Sequence, residues 1–182
     1  TPEIYSLKNL PANSKMVLKE MENDKYKGMV MTNLNKNKIK LNIKKYRKPL
    51  IQQFINGQEY SIDTWKSDKT KDFEFIIRKR LLVKNGDSKV TQIIKDKRIK
   101  KIIRQDLSKF DYYNHCLFQA ILCKDKFYYI ECNPRFGGAS VASLESKVKS
   151  VHHLYSEIFN RKVRCSSKKF NIQYKFETTY YK

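Results

Sequence analysis

Phe127-Tyr128-Tyr129-Ile130-Glu131-Cys132-Asn133-Pro134-Arg135-Phe136-Gly137-Gly138 is the most informative stretch of this 182-residue chain. The apolar run reads as a strand that stops at a proline turn. Side chains alternate with period 2 along a strand, so Glu131 and Asn133 share one face and Cys132 points the other way, toward a core. Two oxygen ligands on one face, followed by a guanidinium, suit a hard divalent cation that holds a polyphosphate. Just upstream, Leu117–Leu122 and Phe127–Ile130 form a hairpin through Lys124-Asp125-Lys126, which lets Gln119 face Glu131.

A second segment lies further upstream: Pro49-Leu50-Ile51-Gln52-Gln53-Phe54-Ile55-Asn56-Gly57-Gln58-Glu59-Tyr60-Ser61-Ile62-Asp63. By itself it reads as an amphipathic hairpin over Ile51–Trp65 with an Asn-Gly turn. In this order, the two segments resemble the ATP-grasp superfamily, in particular its carbamoyl-phosphate-synthase-like carboxylate–amine ligases. Their patterns run roughly Q-E-F-I-x-G-x-E-Y-[ST]-x-D and then E-x-N-P-R-F-G-G. The resemblance implies an α+β fold in which two lobes with mainly antiparallel sheets clamp ATP. The small lobe is expected over residues 1–48 and the C-terminal lobe, with the metal site, over 49–182.

The resemblance also assigns roles. Thr1-Pro2-Glu3-Ile4-Tyr5-Ser6-Leu7 is similar to the family's T-P-x-x-Y-x-L opening, and Val17-Leu18-Lys19 to a strand whose lysine meets the phosphates. Lys27 and Gly28 fall at the end of the phosphate loop. Gln52, Gln53, Phe54 and Ile55 fall at the hinge that presents backbone groups to the adenine edge, and Glu59 where an acid takes the ribose hydroxyls. Gln119, Glu131 and Asn133 fall on the ligands for Mg²⁺ (or Mn²⁺). Arg135 matches the arginine that stabilises the transferring phosphoryl group, and Arg78 and Arg80 resemble an R-x-R that faces nucleotide or substrate. The implied reaction joins a carboxylate to an amine (or thiol) through an acyl phosphate, with ATP as phosphoryl donor. Relatives carry a further N-terminal α/β lobe, so the chain is expected to be part of a longer enzyme.

One loop departs from the family. Relatives place a glycine-rich segment after the strand lysine, whose backbone N–H groups wrap the phosphates. Here Glu22-Asn23-Asp24-Lys25-Tyr26-Lys27-Gly28 keeps only the last glycine, and its two carboxylates would repel a triphosphate. That departure motivates an alternative: a non-catalytic nucleotide- or nucleic-acid-binding module that kept the scaffold.

Composition bounds both readings. A net charge of +21 favours anionic partners, yet the lysines are spread over Lys36–Lys48, Lys66–Lys71 and Lys95–Lys101, as on a solvated surface rather than a nucleic-acid footprint. With 12 Tyr and 10 Phe the chain has the means to bury a core. The four cysteines lack C-x-x-C spacing, which argues against a zinc or redox pair and fits a reducing cytoplasm. No apolar run approaches the ~20 residues of a membrane span. The remaining elements predicted are strands over Met16–Lys19 and Gly28–Met31 around a polar loop, and a strand or short helix over Lys36–Lys45. Further on come a strand over Phe73–Val83 ending at Asn85-Gly86, a basic helix over Ile93–Leu107, and a helix over Ser143–Asn160. The last helix should bury Val148, Val151, Leu154, Tyr155 and Ile158, and the tail from Lys168 should close as a strand.

Overall fold

A computed structural model of the chain describes residues 1–6, 8–11, 15–22, 25–31, 43–44, 49–146, 148–161 and 169–175. Two compact units divide after Asn56. The first holds an antiparallel sheet of β1 (Ile4–Tyr5), β2 (Met16–Glu22), β3 (Lys25–Met31) and β4 (Pro49–Gln53), in the order β1-β4-β2-β3. Its core is Leu10, Met16, Leu18 and Ile51. The expected boundary at 48/49 therefore moves, because β4 takes its partners from β1 and β2.

The polar loop expected between Glu20 and Lys27 is mostly strand. Register places Lys19 opposite Gly28, Glu20 opposite Lys27 and Glu22 opposite Lys25. The element expected over Lys36–Lys45 lies outside the described residues apart from Ile43 and Lys44.

The second unit is built on a six-stranded antiparallel sheet. Its strands are β5 (Gln58–Lys66), β6 (Phe73–Lys84), β7 (Asp87–Ile93), β8 (Asn114–Cys123), β9 (Lys126–Asn133) and β10 (Ile172–Tyr174), ordered β10-β7-β6-β5-β8-β9. The hairpin read over Ile51–Trp65 does not form: β4 and β5 belong to different sheets. Neither Asn56 nor Gly57 has the positive φ that a two-residue hairpin turn needs. Gly57 serves a different end. A Cβ there would sit 2.2 Å from the Leu122 carbonyl oxygen, so only glycine lets the chain pass β8. True two-residue turns occur at Asn85-Gly86 (φ 52° and 76°) and Lys124-Asp125 (φ 48° and 61°), joining β6 to β7 and β8 to β9.

The central strand β5 is buried on both faces, and the two faces differ. On one, Tyr60, Ile62, Phe75, Ile77, Phe118, Ala120, Phe127 and Tyr129 pack with Ile103 and Leu107 of helix α1 (Lys97–Leu107). That helix starts later than Ile93, because Ile93 completes β7 and Asp96 caps the first turn, accepting from the N–H groups of Arg98 and Ile99 at 2.7 and 3.1 Å. Its lysines and arginines face outward.

On the other face lie two helices where one was expected: α2 (Val141–Ser146) and α3 (Ser150–Phe159). The break has a cause. Val148 turns fully inward, its N–H bonding the Ser143 carbonyl at 3.1 Å, and Lys149 Nζ caps the end of α2 at the carbonyl of Leu144, 2.6 Å away. Asn160, left-handed at φ 50°, ends α3. Of the stripe expected to be core, only Val148 is buried. Val151, Leu154, Tyr155, Ile158 and Phe159 are exposed, and α3 meets the sheet through polar groups. His153 stacks on Trp65 and pairs with Glu74 at 3.2 Å, and Glu157 accepts from Ser67 at 2.6 Å. Among the described residues no helix is long and apolar enough to cross a membrane.

Candidate functional site

On this polar face the second unit opens a cavity of about 250 Å³. Arg78 and Arg80 reach it from β6, Gln119 from β8, and Arg135, Gly137 and Gly138 from the loop after β9, with the Asn85–Ser88 turn opposite. Three guanidinium groups in so small a space, with Asp87 the acid among the lining residues, give it chemistry suited to an anion.

Each arginine is held differently. Arg80, 8% exposed, donates from Nη1 to Gln119 Oε1 at 2.7 Å and pairs with Glu59 at 2.9 Å. Its Nη2 donates to the Gly86 carbonyl at 2.6 Å. Burial pushes the Arg80 guanidinium below its ordinary pKa; Glu59 opposes this, Arg78 reinforces it, and Glu131 and Asp87 oppose it more weakly. Arg78, 1% exposed, is committed to Asp63, with Nε and Nη2 at 2.8 and 2.6 Å from Oδ2. Neither is the exposed basic edge that a strand rich in arginine might form, because β6 lies inside the sheet. Arg135 is exposed; its Nη1 donates to the neighbouring Phe136 carbonyl at 3.2 Å and its backbone N–H to the Asn133 carbonyl at 2.8 Å.

The sequence-predicted metal ligands are brought together. Gln119 stands directly across from Glu131, and Asn133 lies two residues further along the same face. One carboxylate and two amide oxygens form a hard, weakly charged donor set. It fits Mg²⁺ carried by a polyphosphate better than a free ion, and among the described residues there is no cluster of three or more His, Cys, Asp or Glu side chains to hold a metal alone. Gln119 Oε1 already accepts from Arg80, so Glu131 and Asn133 are the less encumbered pair. Cys132 does point to the opposite face, but it is exposed at the sheet edge rather than in the core.

Glu59, expected at a ribose, is tied to Arg80 on its half-exposed carboxylate. In the first unit, Gln53 and Phe54 line a cavity of about 340 Å³ with Tyr5, Lys15 and Asn56, and Lys15 Nζ lies 5.9 Å from the Phe54 ring centroid. Their N–H groups are used internally, Gln53 on the Glu3 carbonyl at 2.8 Å and Phe54 on that of Lys15 at 3.3 Å. Gln52 and Ile55 are buried, and Lys19 is half-buried in β2.

Sequence reasoning missed the residues that hold the arginines and the loop. Asp63 is fully buried and takes hydrogen bonds from Ser140 and, at 2.6 Å, Ser143. Ser140 Oγ in turn accepts from the Gly137 N–H at 2.8 Å. His115 links Ser150 (2.7 Å) to Asp63 (3.7 Å) and its ring lies 4.1 Å from that of Phe136. Gly137 packs closely on Leu117: a Cβ would lie 2.5 Å from Leu117 Cδ2, so that side-chain end would have to shift. The serines carried no signal beyond following the Gly-Gly pair. At the rim, Lys175 after β10 pairs with Asp87 at 2.6 Å; Lys175 and Lys89 hold that carboxyl below its usual range.

Solved structures with this arrangement of strands and helices include an L-amino acid ligase from Bacillus licheniformis (TM-score 0.60, 19% identity, 80% of this chain and 40% of that one). N5-carboxyaminoimidazole synthetase from Staphylococcus aureus complexed with ADP is similar (0.56, 11%, 73% and 37%). So is the biotin carboxylase domain of the Hydrogenobacter thermophilus 2-oxoglutarate carboxylase, in complex with MgADP, ADP and bicarbonate (0.59, 12%, 84% and 38%). The chain thus spans less than half of the length of each. No curated protein sequence matches it. Residues 45–178 match the family described as ATP-grasp in the biosynthetic pathway with Ter operon. With well over half of its length inside that match, this chain is a member of the ATP-grasp family.

Proposed function

We propose that the chain is the ATP-handling part of a ligase that joins a carboxylate to an amine (or thiol) through an acyl phosphate. The observation that carries this reading is the cavity in which Arg78, Arg80 and Arg135 converge beside the Gln119–Glu131–Asn133 face. A carboxylate oxygen would attack the γ-phosphorus of ATP, the bond to the β–γ bridging oxygen would break, and ADP would leave. The amine would then attack the acyl carbon and expel phosphate. Bound Mg²⁺ (or Mn²⁺) would neutralise the polyphosphate, with Glu131, Asn133 and Gln119 as its ligands. Arg135, the exposed guanidinium, would neutralise the phosphoryl group in flight, and Arg78 and Arg80 would orient the carboxylate end.

Lys19, Lys27 and Gly28 are the residues proposed for the phosphates, Gln52, Gln53, Phe54 and Ile55 for the adenine, and Glu59 for the ribose, once released from Arg80. The MgADP and bicarbonate of the biotin carboxylase domain support an ATP-and-carboxylate reading. Because the similar chains are more than twice as long as the part matched, the reading is of a longer cytoplasmic enzyme in which further polypeptide completes the pocket.

A second reading draws on the segment Glu22-Asn23-Asp24, which carries two carboxylates where relatives place glycines, and takes the chain as a module that binds nucleotide or nucleic acid without turning nucleotide over. Calorimetric titration of ATP with Mg²⁺ and then with EDTA tests both. The ligase reading expects Mg²⁺-dependent binding that Glu131→Gln weakens about tenfold or more. Equal binding in EDTA, or by the variant, removes the metal site. Binding that depends steeply on salt and extends to nucleic acid would favour the module.

A further inference from the structure

We propose that Asp63 is a positioning residue: one buried carboxylate sets both the Arg78 guanidinium and the Gly137 peptide on the boundary of the anion cavity. This rests on reading that cavity as the place of an anionic substrate.

Asp63 reaches two sides of the cavity at once. Its Oδ2 accepts from Arg78 Nε and Nη2 and from Ser143 Oγ, and its Oδ1 accepts from Ser140 Oγ. Each serine hydroxyl has one proton, and here each donates it to the carboxylate. The hydroxyl oxygens are then left as acceptors: Ser143 takes Arg78 Nε at 3.1 Å and Ser140 takes the Gly137 N–H at 2.8 Å. The charge on Asp63 thereby fixes the direction of every bond out to the Gly137 peptide. The turn is also closed from Ser140 N–H to the Gly137 carbonyl at 3.0 Å, so Gly137 is held at both ends by the residue that Asp63 holds.

Stability alone is a poor reason for this arrangement. Taking a carboxylate and a guanidinium fully out of water gains little over a well-packed apolar pair of similar volume. Arg78 also keeps a cost: its Nη1 is buried with no hydrogen-bond partner. What the cluster does achieve is a fixed direction for two groups bounding one cavity, on β6 and on the loop that carries Arg135. Preorganised dipoles and charges of this kind raise affinity for an anion, because nothing need reorient when it arrives.

The test uses the chain itself with inorganic phosphate as the probe, titrated by calorimetry and ³¹P NMR. The unmodified chain is expected to bind phosphate, and Arg135→Met to lose it, which locates the probe in this cavity. Ser140→Ala cuts the carboxylate from the loop but leaves the Asp63–Arg78 pair. It is expected to weaken phosphate binding about tenfold and to lower the urea midpoint by the loss of one bond to a buried carboxylate, while Mg²⁺-dependent ATP affinity moves little. Asp63→Asn should weaken it further; if that variant folds poorly, Ser140→Ala carries the test. Unchanged phosphate affinity in folded Ser140→Ala, or a loss only in step with ATP affinity, would mean that Asp63 is structural and overturn the proposal. Phosphate binding that survives Arg135→Met overturns it too, since the probe then sits elsewhere. No binding by the unmodified chain removes the anion cavity and the proposal together, but leaves the ATP reading to its own titration.

Discussion

The two faces of the six-stranded sheet are packed by opposite rules. Under α1 the contacts are apolar, with Ile103 and Leu107 set among aromatic rings of β5, β6, β8 and β9. Under α2 and α3 a small apolar cluster of Trp65, Ile76 and Val148 is joined by ionic and hydrogen-bonded groups, Asp63, Arg78, His115, Ser140, Ser143 and Ser150. Apolar packing is tolerant: side chains of similar volume can be exchanged with modest loss. The polar face has no such latitude, because a lost partner strands a charge. It is also the face with the cavity, so order there is held by directional bonds rather than by volume.

Replacing single partners sharpens this contrast. Arg78→Leu should show the largest effect, a loss of about 3–5 kcal/mol in urea unfolding, because it leaves the Asp63 carboxylate buried beside two hydroxyls. A loss under about 1 kcal/mol would mean the face is wetter than its burial implies. Ile103→Ala on the apolar face should cost about 3 kcal/mol, and Ile103→Leu much less, a tolerance that no substitution at Arg78 should share.

The pH dependence on the acid side is smaller and is carried on the polar face by His115. Burial holds His115 below the usual imidazole range; Asp63 opposes this and Arg78 reinforces it. The folded chain therefore keeps His115 neutral where the unfolded chain, titrating near about 6.5, takes a proton. The contribution is intact above that value and is lost as pH falls from there toward the folded pKa. Urea midpoints at pH 7.5 and 5.5 should differ, and His115→Gln should narrow the difference. An equal difference in the variant would assign it to other groups. Smallest of all should be Ile158→Ser on the outer side of α3. That residue is 65% exposed, so the unfolding free energy should move by no more than about 0.5 kcal/mol.

What the sequence makes legible follows the same division. Elements whose logic is apolar alternation, the β8–β9 hairpin and the strand at Phe73, are read correctly, and with them the shared face of Gln119, Glu131 and Asn133. The α1 periodicity is also clear, although the helix read from Ile93 begins only after the Asp96 cap. The misreadings come where polarity is used inward. The stripe from Val151 to Ile158 has core spacing but faces outward, since His153 and Glu157 on the opposite side have partners on β5, β6 and the strap between them. Asn56-Gly57 is a good turn dipeptide by composition, yet Gly57 is there because Leu122 leaves no room for a side chain. Asp63 closes the second motif but lies 77 residues from Ser140 and 80 from Ser143; only the fold brings them to one point.

The way α3 is attached also bears on how it comes loose. Its outer stripe is already in water, and its inner contacts are groups that water can satisfy, so detachment would newly wet little apolar surface beyond Trp65. Such an opening has a small denaturant dependence. Amide hydrogens of α3 should exchange through a local event nearly insensitive to urea, while those of α1, released only when the aromatic layer separates, exchange with global unfolding. This helix would then breathe on its own timescale over a sheet that stays folded.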